Sequence, residues 1–163
     1  MAGFDIILMG VSGTGKSTVG VALAARLGRP FIEGDDHHPA ENRAKMAGGT
    51  PLSNADRDGW IAALADAVNA GPPSVVACSA LNAQVRGWLT ARTDRHLRFV
   101  HLTAPREVIA QRLSARSGHF FDAGLLDSQF DALEEPDDAI SVSVDQPVAA
   151  VVADVRAALD EER

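Results

Sequence analysis

The chain has 163 residues, of which 46% are hydrophobic, and a formal net charge of −7. This length predicts one compact domain over residues 1–163, because it is enough to bury a core and too short for two ordinary domains. The negative charge argues against broad binding to nucleic acid or anionic lipid, since those partners favour a basic surface.

The first predicted strand, residues 5–9, leads through a glycine-rich loop into a predicted helix over residues 17–27. The loop from Gly10 to Ser17 matches the phosphate-binding motif G-x-x-x-x-G-K-[ST] at every fixed position. Glycines let the backbone N–H groups turn toward phosphate oxygens, and the helix adds the positive end of its dipole. We therefore expect ATP to bind here, with Lys16 at the β- and γ-phosphates and the Ser17 hydroxyl on Mg²⁺. The predicted nucleotide-binding residues of this loop are Gly10, Ser12, Gly13, Thr14, Gly15, Lys16, Ser17 and Thr18.

Acidic side chains follow the second predicted strand, residues 30–33. Glu33 and Asp35 are two residues apart at its carboxyl end, so an extended backbone projects both to the same side. One of them can orient a magnesium-bound water while the other meets the substrate. The polar stretch 34–56 is predicted to be a functional insertion, because ligands bind at the carboxyl ends of parallel strands.

Two other classes of phosphate-loop protein lack their markers in this sequence. A guanine-nucleotide switch would carry an N-K-x-D-like motif, and the sequence has none. A D-x-x-G match at residues 56–59 opens a helical segment instead of following an apolar strand, so we interpret it as coincidence. A mechanical ATPase normally ends a later strand with an aspartate that holds magnesium, whereas the third predicted strand, 74–78, runs into Ser79 and Ala80. These differences favour a small-molecule kinase.

The remaining elements continue the alternation of strand and helix to the end of the chain. Further strands are predicted at 97–102 and 140–144, and further helices at 57–70, 83–93, 105–115 and 148–160. Strands separated by helices pair in parallel with right-handed crossovers. The sequence thus predicts an α/β fold, a three-layer α/β/α sandwich around a parallel five-stranded sheet. No apolar run approaches the roughly 20 residues of a membrane helix and no signal peptide is recognised, so we expect a cytoplasmic protein.

A second polar stretch, residues 116–137, is predicted to form a lid over the nucleotide. Arg112 and Arg116 are four residues apart in a helical pattern, so they share a face that suits two guanidinium groups reaching for phosphates. Gly118 and Gly124 bracket an aromatic segment, which favours a lid that closes and excludes water. Such closure would suppress hydrolysis of ATP.

Motifs spread over about residues 6–150 carry a family resemblance. The most specific are Gly34-Asp35-Asp36-His37-His38-Pro39 and Arg116-Ser117-Gly118-His119-Phe120. Further matches, in chain order, are Met9-Gly10-Val11-Ser12-Gly13, Asn42, Lys45-Met46, Pro51-Leu52, Asp56-Arg57, Trp60, Cys78-Ser79-Ala80-Leu81, Arg112, Ser128-Gln129-Phe130, Leu133-Glu134, Pro136 and Val144-Asp145-Gln146-Pro147. With these motifs the chain resembles the bacterial gluconokinase family, whose fold is similar to that of shikimate and adenylylsulfate kinases.

The resemblance implies transfer of the γ-phosphate of ATP to the 6-hydroxyl of D-gluconate, which gives 6-phospho-D-gluconate and ADP. Asp35 is then expected to accept or orient the hydroxyl proton, with Glu33 as its magnesium-side neighbour and Asp36 as the fallback. The expected catalytic residues are Lys16, Asp35 and Arg116. The expected substrate-binding residues are Asp35, His38, Arg43, Lys45, Arg57, Ser79, Arg86, His119 and Gln129. Further nucleotide contacts are expected from Arg112 and, near the adenine, from Asp145, Gln146 and Pro147, and relatives suggest a homodimer.

The chain departs from the usual pattern of this family at a few positions. Asn82 and Val85 stand in a segment where a lysine and a tyrosine are usual, so a cation and an aromatic hydroxyl are absent. Asn54 stands where an aspartate is usual, and Arg86 would have to compensate for the missing lysine. Two alternatives therefore stay open: a sister kinase for another small hydroxy acid such as shikimate, and a nucleotide-binding protein with an impaired substrate pocket.

Overall fold

The computed structural model describes residues 3–115 and 123–162, which form a parallel sheet with helices on both faces. The strands are β1 (Phe4–Met9), β2 (Phe31–Glu33), β3 (Val75–Ala77), β4 (His96–Thr103) and β5 (Ile140–Ser143). They lie in the order β2-β3-β1-β4-β5, and each neighbouring pair is parallel. The predicted five-stranded parallel α/β sandwich is confirmed, whereas the organisation of residues 1–163 as a single domain stays a prediction.

Seven α-helices occur in the described ranges. They are α1 (Lys16–Leu27), α2 (Ala40–Ala47), α3 (Asn54–Ala70), α4 (Ala83–Arg92), α5 (Arg106–Ala115), α6 (Ala123–Ala132) and α7 (Val148–Glu161). None of these helices is long and apolar enough to cross a membrane. Two of them, α2 and α6, lie within the stretches that the sequence analysis treated only as polar insertions.

The helix α2 has no apolar stripe from which it could be predicted. Asn42 is its one buried residue, so the 3.6-residue hydrophobic period is missing. The next helix, α3, begins at Asn54, about three residues before the predicted start. Ser53 explains this, because its side chain accepts a hydrogen bond from the Asp56 N–H while the Asp56 carboxylate accepts from the Ser53 N–H.

Alternate residues of β1 pack on the two faces of the sheet. Ile6 and Leu8 lie in the cluster that includes α1 and α7, and Ile7 and Met9 lie in the cluster that includes α3 and α4. All four side chains are fully buried, as expected for the central strand of a parallel sheet. The phosphate loop therefore leaves the sheet from its buried central strand.

A buried polar cluster stabilises the sheet at the amino ends of its strands, opposite the end that carries the phosphate loop. The Asp5 carboxylate, on β1, accepts hydrogen bonds from the Ser74 N–H at 2.7 Å and the Ser74 hydroxyl at 3.0 Å. Arg95 Nε donates to the same carboxylate at 2.9 Å, and Arg95 Nη2 donates to the Val68 carbonyl at 2.7 Å. This cluster joins β1 to the segments that precede β3 and β4, at the end of the sheet away from the phosphate loop.

Candidate active site

The loop between β1 and α1 has the backbone of a phosphate cradle. Gly10 and Gly13 have φ values of 149° and 87°, and a Cβ at Gly10 would lie 2.7 Å from the Leu102 carbonyl oxygen. Only glycine adopts such a conformation without strain. The buried Thr14 hydroxyl donates to the Val11 carbonyl at 3.0 Å and braces the loop from inside. The structure thus gives the predicted loop the shape that its sequence requires.

Lys16 lies across this loop. Its ammonium donates to the Gly10 carbonyl at 2.8 Å and to the Val11 carbonyl at 3.0 Å. Because these carbonyls belong to the loop itself, they hold the cation beside the concave backbone where phosphate oxygens would enter. A preorganised cation at this place could stabilise negative charge on phosphates, and the catalytic role of Lys16 stays a prediction.

Ser17 and Glu33, the two residues predicted to hold Mg²⁺, meet in the structure. The Ser17 hydroxyl, in the first turn of α1, donates to Glu33 Oε2 at the end of β2. A hydroxyl and a carboxylate are oxygen donors of the kind that Mg²⁺ prefers. In the described residues no group of three or more acidic, His or Cys side chains forms a metal cage. Mg²⁺ commonly takes one or two protein oxygens together with phosphates and water, so the pair fits this ion.

A cleft of about 290 Å³ opens beside the phosphate loop. The predicted site residues that line it are Ser12, Lys16, Asp35, His38, Arg57, Ser79 and Gln129. Its other walls include residues that the sequence analysis did not single out as ligands: Met46, Thr50 and Leu52 near α2, and Leu125 and Ser128 on α6. The segment 34–56 and the helix α6 therefore both contribute walls, while their roles as a substrate-binding insertion and as part of a lid stay predictions.

His38 lies on the inner wall of this cleft and is buried. Its ring stacks on Trp60 with centroids 4.2 Å apart, and the Trp60 N–H donates to the Gly34 carbonyl at 2.8 Å. The His38 Nε2 atom lies 3.9 Å from Asp35 Oδ1, and Asn42 Nδ2 lies 3.3 Å from His38 Nδ1. Burial lowers the pKa of His38 below its usual value, against the opposing charge of Asp35.

Two of the side chains predicted to bind the substrate, Arg43 and Lys45, make hydrogen bonds within the protein instead. Arg43 donates to the His38 carbonyl at 3.2 Å and to the Asp36 carbonyl at 2.8 Å, so it braces the 3₁₀ turn that carries Asp35. Lys45 contacts both oxygens of Asp56 at 2.8 and 2.9 Å. Neither Arg43 nor Lys45 is among the residues that line the cleft. A substrate contact from either side chain stays a prediction.

Arg57, in contrast, lines the cleft, and its guanidinium is hydrogen-bonded to Asn54. Its Nη1 donates to Asn54 Oδ1 at 3.1 Å, and Asn82 Nδ2 donates to the same oxygen at 3.3 Å. Asn54 also donates to Gln84 through its amide nitrogen. Asn54 and Asn82 thus form an uncharged amide pair. They stand where an aspartate and a lysine are usual in the family.

Arg86 lies outside the cleft lining and is buried. Its Nη1 donates to the Ala80 carbonyl and its Nη2 to the Glu134 carbonyl, each at 2.8 Å. Ala80 has a φ of 44°, an uncommon conformation for a residue with a side chain. The guanidinium therefore holds a strained loop after β3 against the segment that follows α6. This arrangement gives no support to the expectation that Arg86 replaces a substrate-binding lysine.

The helix α6 contacts the phosphate loop directly. Gln129 Oε1 accepts from the Ser12 N–H at 2.6 Å, and Gln129 Nε2 donates to the Ser12 hydroxyl at 2.9 Å. On the other side of the loop, Arg112 donates to the Val144 carbonyl at the end of β5. Asp145 and its two successors follow directly, which keeps the predicted adenine-side residues together: Asp145, Gln146 and Pro147. Arg116 and His119 lie outside the described residues.

Asn42 and Trp60 contact His38, and the sequence analysis named them only as motif members. Asn42 is four residues after His38, a spacing that would bring the two together on a helix. That signal could not be used, because α2 was not predicted. Trp60 belongs to the predicted helix 57–70, and nothing in the helical period distinguishes a ring that supports a site residue from an ordinary core side chain.

Comparison with known proteins identifies the family of this chain. A family model described as "Shikimate kinase" matches residues 12–134. The thermoresistant gluconokinase of Escherichia coli (strain K12) is 43% identical over 155 residues, covering 90% of this chain and 88% of that protein. The gluconokinase of Gluconobacter oxydans (strain 621H) is 45% identical over 150 residues, covering 90% and 80% respectively. A solved structure of a gluconokinase from Sinorhizobium meliloti 1021 matches with a TM-score of 0.90 and 42% identity, over 98% of this chain and 93% of that one. The family resemblance read from the motifs is confirmed.

Proposed function

Since the chain belongs to the gluconokinase family, we propose that it transfers the γ-phosphate of ATP to the 6-hydroxyl of D-gluconate. The observation that carries this proposal is one cleft lined both by the phosphate loop, through Ser12 and Lys16, and by Asp35 and Arg57. Phosphoryl transfer needs a held triphosphate and a placed acceptor more than it needs covalent help. The cleft offers groups for both.

The nucleotide side of the reaction uses the loop, Lys16 and the Ser17–Glu33 pair. The backbone N–H groups and the Lys16 ammonium neutralise charge on the β- and γ-phosphates. Bound through the oxygens of Ser17 and Glu33, Mg²⁺ would supply further neutralisation of the phosphates. Arg112 and Arg116 are proposed to bind the same phosphates, and Asp145, Gln146 and Pro147 to contact the adenine.

The acceptor side uses Asp35 as the group that accepts or orients the proton of the attacking hydroxyl. Its side chain is 78% exposed to the cleft and solvent, so an incoming substrate can reach it. A carboxylate in this role contributes about 10²- to 10⁴-fold to the rate. Asp36 is less suited to the role, because it is not among the residues that line the cleft.

The substrate's carboxylate requires a cation, and Lys16 and Arg57 are the cations among the described residues that line the cleft. Lys16 is held at the phosphate loop. Arg57 is therefore proposed to bind the carboxylate, since a guanidinium matches that group with two parallel hydrogen bonds. Ser79 and Gln129 are proposed to contact the hydroxyl groups along the sugar acid, and His38 lines the cleft beside Asp35. A cleft of about 290 Å³ suits a small substrate.

The test is a coupled assay of ADP release with Mg²⁺ and ATP, with gluconate, shikimate or no acceptor added. Gluconate-dependent ADP release, with 6-phospho-D-gluconate as the product, is the expected result. Turnover of shikimate instead would favour a sister kinase, and no acceptor-dependent turnover would favour an impaired nucleotide-binding protein. Asp35→Asn is expected to lower kcat by about 10²- to 10⁴-fold. Asp36→Asn is the matched control, and a larger loss in Asp36→Asn would transfer the role of base to that residue.

A homodimer and a cytoplasmic location are further proposals that come from the family. Light scattering coupled to size-exclusion chromatography would measure the oligomeric state, and a monomeric mass would contradict the first of these proposals.

A further inference from the structure

The orientation of the Asn42 side chain can be assigned from its partners. Asn42 Nδ2 lies 2.8 Å from the Asp56 carbonyl oxygen, which can only accept a hydrogen bond. The atom facing that carbonyl must therefore be the amide nitrogen. Its second hydrogen is then available to the His38 Nδ1 atom, 3.3 Å away. Asn42 is 3% exposed, so water has little access to replace either contact.

This contact determines which nitrogen of the His38 ring carries a proton. Nδ1 faces a donor, so it must be the acceptor, and a neutral imidazole then carries its proton on Nε2. A doubly protonated ring would place one donor against another at Nδ1. Burial opposes a second proton most strongly, Asp35 favours it, and Arg43 and Arg57 oppose it. The Trp60 ring fixes the plane of the imidazole by stacking at an interplanar angle of 16°.

The Nε2 atom so protonated faces Asp35 Oδ1 at 3.9 Å. That distance is longer than a hydrogen bond, but such contacts in unliganded enzymes tighten when substrate binds. We propose that Asn42 is a positioning residue that keeps His38 neutral and protonated on Nε2, and that this N–H holds one oxygen of Asp35 so that the other faces the attacking hydroxyl. The role of Asp35 rests on the proposed function, whereas the protonation state of His38 can be measured without any substrate.

The first test is a ¹⁵N NMR spectrum of the histidine rings in the whole protein near neutral pH. The His38 signals are identified by their loss in His38→Phe. The expected spectrum is that of a neutral ring protonated on Nε2. A ring protonated on Nδ1, or a doubly protonated ring, would overturn the proposal.

Two substitutions of Asn42 separate the control of the proton from simple packing. Asn42→Asp places a carboxylate beside Nδ1, so the ring is expected to move its proton to Nδ1 or to take up a second one. Asn42→Ala loses the same contact to the Asp56 carbonyl without adding an acceptor, and it is the matched control. A His38 spectrum in Asn42→Asp that equals that of the wild-type protein would contradict the proposal.

Kinetics test the link to Asp35. His38→Phe keeps an aromatic ring against Trp60 but has no donor, whereas His38→Gln keeps an N–H near the position of Nε2. We expect His38→Phe to lower kcat by about 10- to 100-fold with the KM for ATP changed by less than about twofold. His38→Gln should recover a substantial part of that loss. Equal losses in the two variants, or an unchanged kcat in His38→Phe, would refute the positioning role.

The failure of this inference can be distinguished from the failure of the proposed function. If the wild-type protein phosphorylates no gluconate, the proposed function fails, and the ring spectra still decide whether Asn42 controls His38. If gluconate is phosphorylated and the spectra show the other tautomer, the function stands and this inference fails.

Discussion

Replacing Asp5 with alanine should destabilise the fold without changing the chemistry of the site. The Asp5 side chain is fully buried and accepts hydrogen bonds from Ser74 N, Ser74 Oγ and Arg95 Nε. In Asp5→Ala the buried Ser74 donors and the Arg95 charge lose this acceptor together. Breaking a buried ion pair by removing one partner costs about 3–5 kcal/mol. That is a large share of the roughly 5–15 kcal/mol by which a domain is stable.

The assay for Asp5→Ala is urea and thermal unfolding followed by circular dichroism. For a domain of this size a loss of 1 kcal/mol lowers the Tm by about 2–4 °C, so the expected shift is about 6–20 °C. Asp58→Ala is the matched control, because it also removes an aspartate from an arginine. The Asp58–Arg92 pair is exposed, however, and is expected to contribute about 0–1 kcal/mol. Equal Tm values for wild type and Asp5→Ala would refute this account of the buried cluster.

Three further predictions concern the site and its surroundings. Lys16→Ala should lower kcat by about 10²- to 10³-fold by removing a preorganised cation, and an unchanged kcat in the coupled assay would contradict its placement. Asn54→Ala should raise the KM for gluconate more than the KM for ATP, because Arg57 loses its support; equal changes in both values would assign Asn54 a purely structural role. The hydrogen bond from Lys45, together with that from the Ser53 N–H, lowers the pKa of Asp56 to about 2. The stabilisation from this pair is therefore complete above the unfolded pKa of about 3.9 and is lost as the pH falls through about 2. Lys45→Met should raise that pKa toward its usual value in a ¹³C carboxyl titration, and an unmoved midpoint would show that other groups set it.

The parts of the site that depend on local spacing were predictable from the sequence. The phosphate loop is contiguous, and its glycines, Lys16 and Ser17 have roles that follow from a short motif between a strand and a helix. The contact between Ser17 and Glu33 follows from the same logic. Both residues lie at the carboxyl edge of a parallel sheet, where the end of β2 meets the start of α1.

The parts that depend on distant partners were not predictable. Arg86 is one example, because its guanidinium is bound by carbonyls of Ala80 and of Glu134, and the latter is 48 positions further along the chain. A sequence shows the charge but not the carbonyls that surround it. Asn42 is another, because its role arises from a short helix with no apolar face and from a backbone carbonyl on α3.

The hydrogen bond between Gln129 and the Ser12 N–H has a thermodynamic consequence. The Ser12 N–H already donates to Gln129, so a phosphate oxygen that takes this N–H must displace a carboxamide. The free energy gained when a phosphate oxygen binds this N–H is then the difference between two hydrogen bonds. Removal of the Gln129 side chain should therefore tighten ATP binding. The displaced side chain belongs to the helix whose Leu125 and Ser128 form a wall of the acceptor cleft. The two hydrogen bonds between Gln129 and Ser12 therefore tie this wall of the cleft to the loop that holds the phosphates.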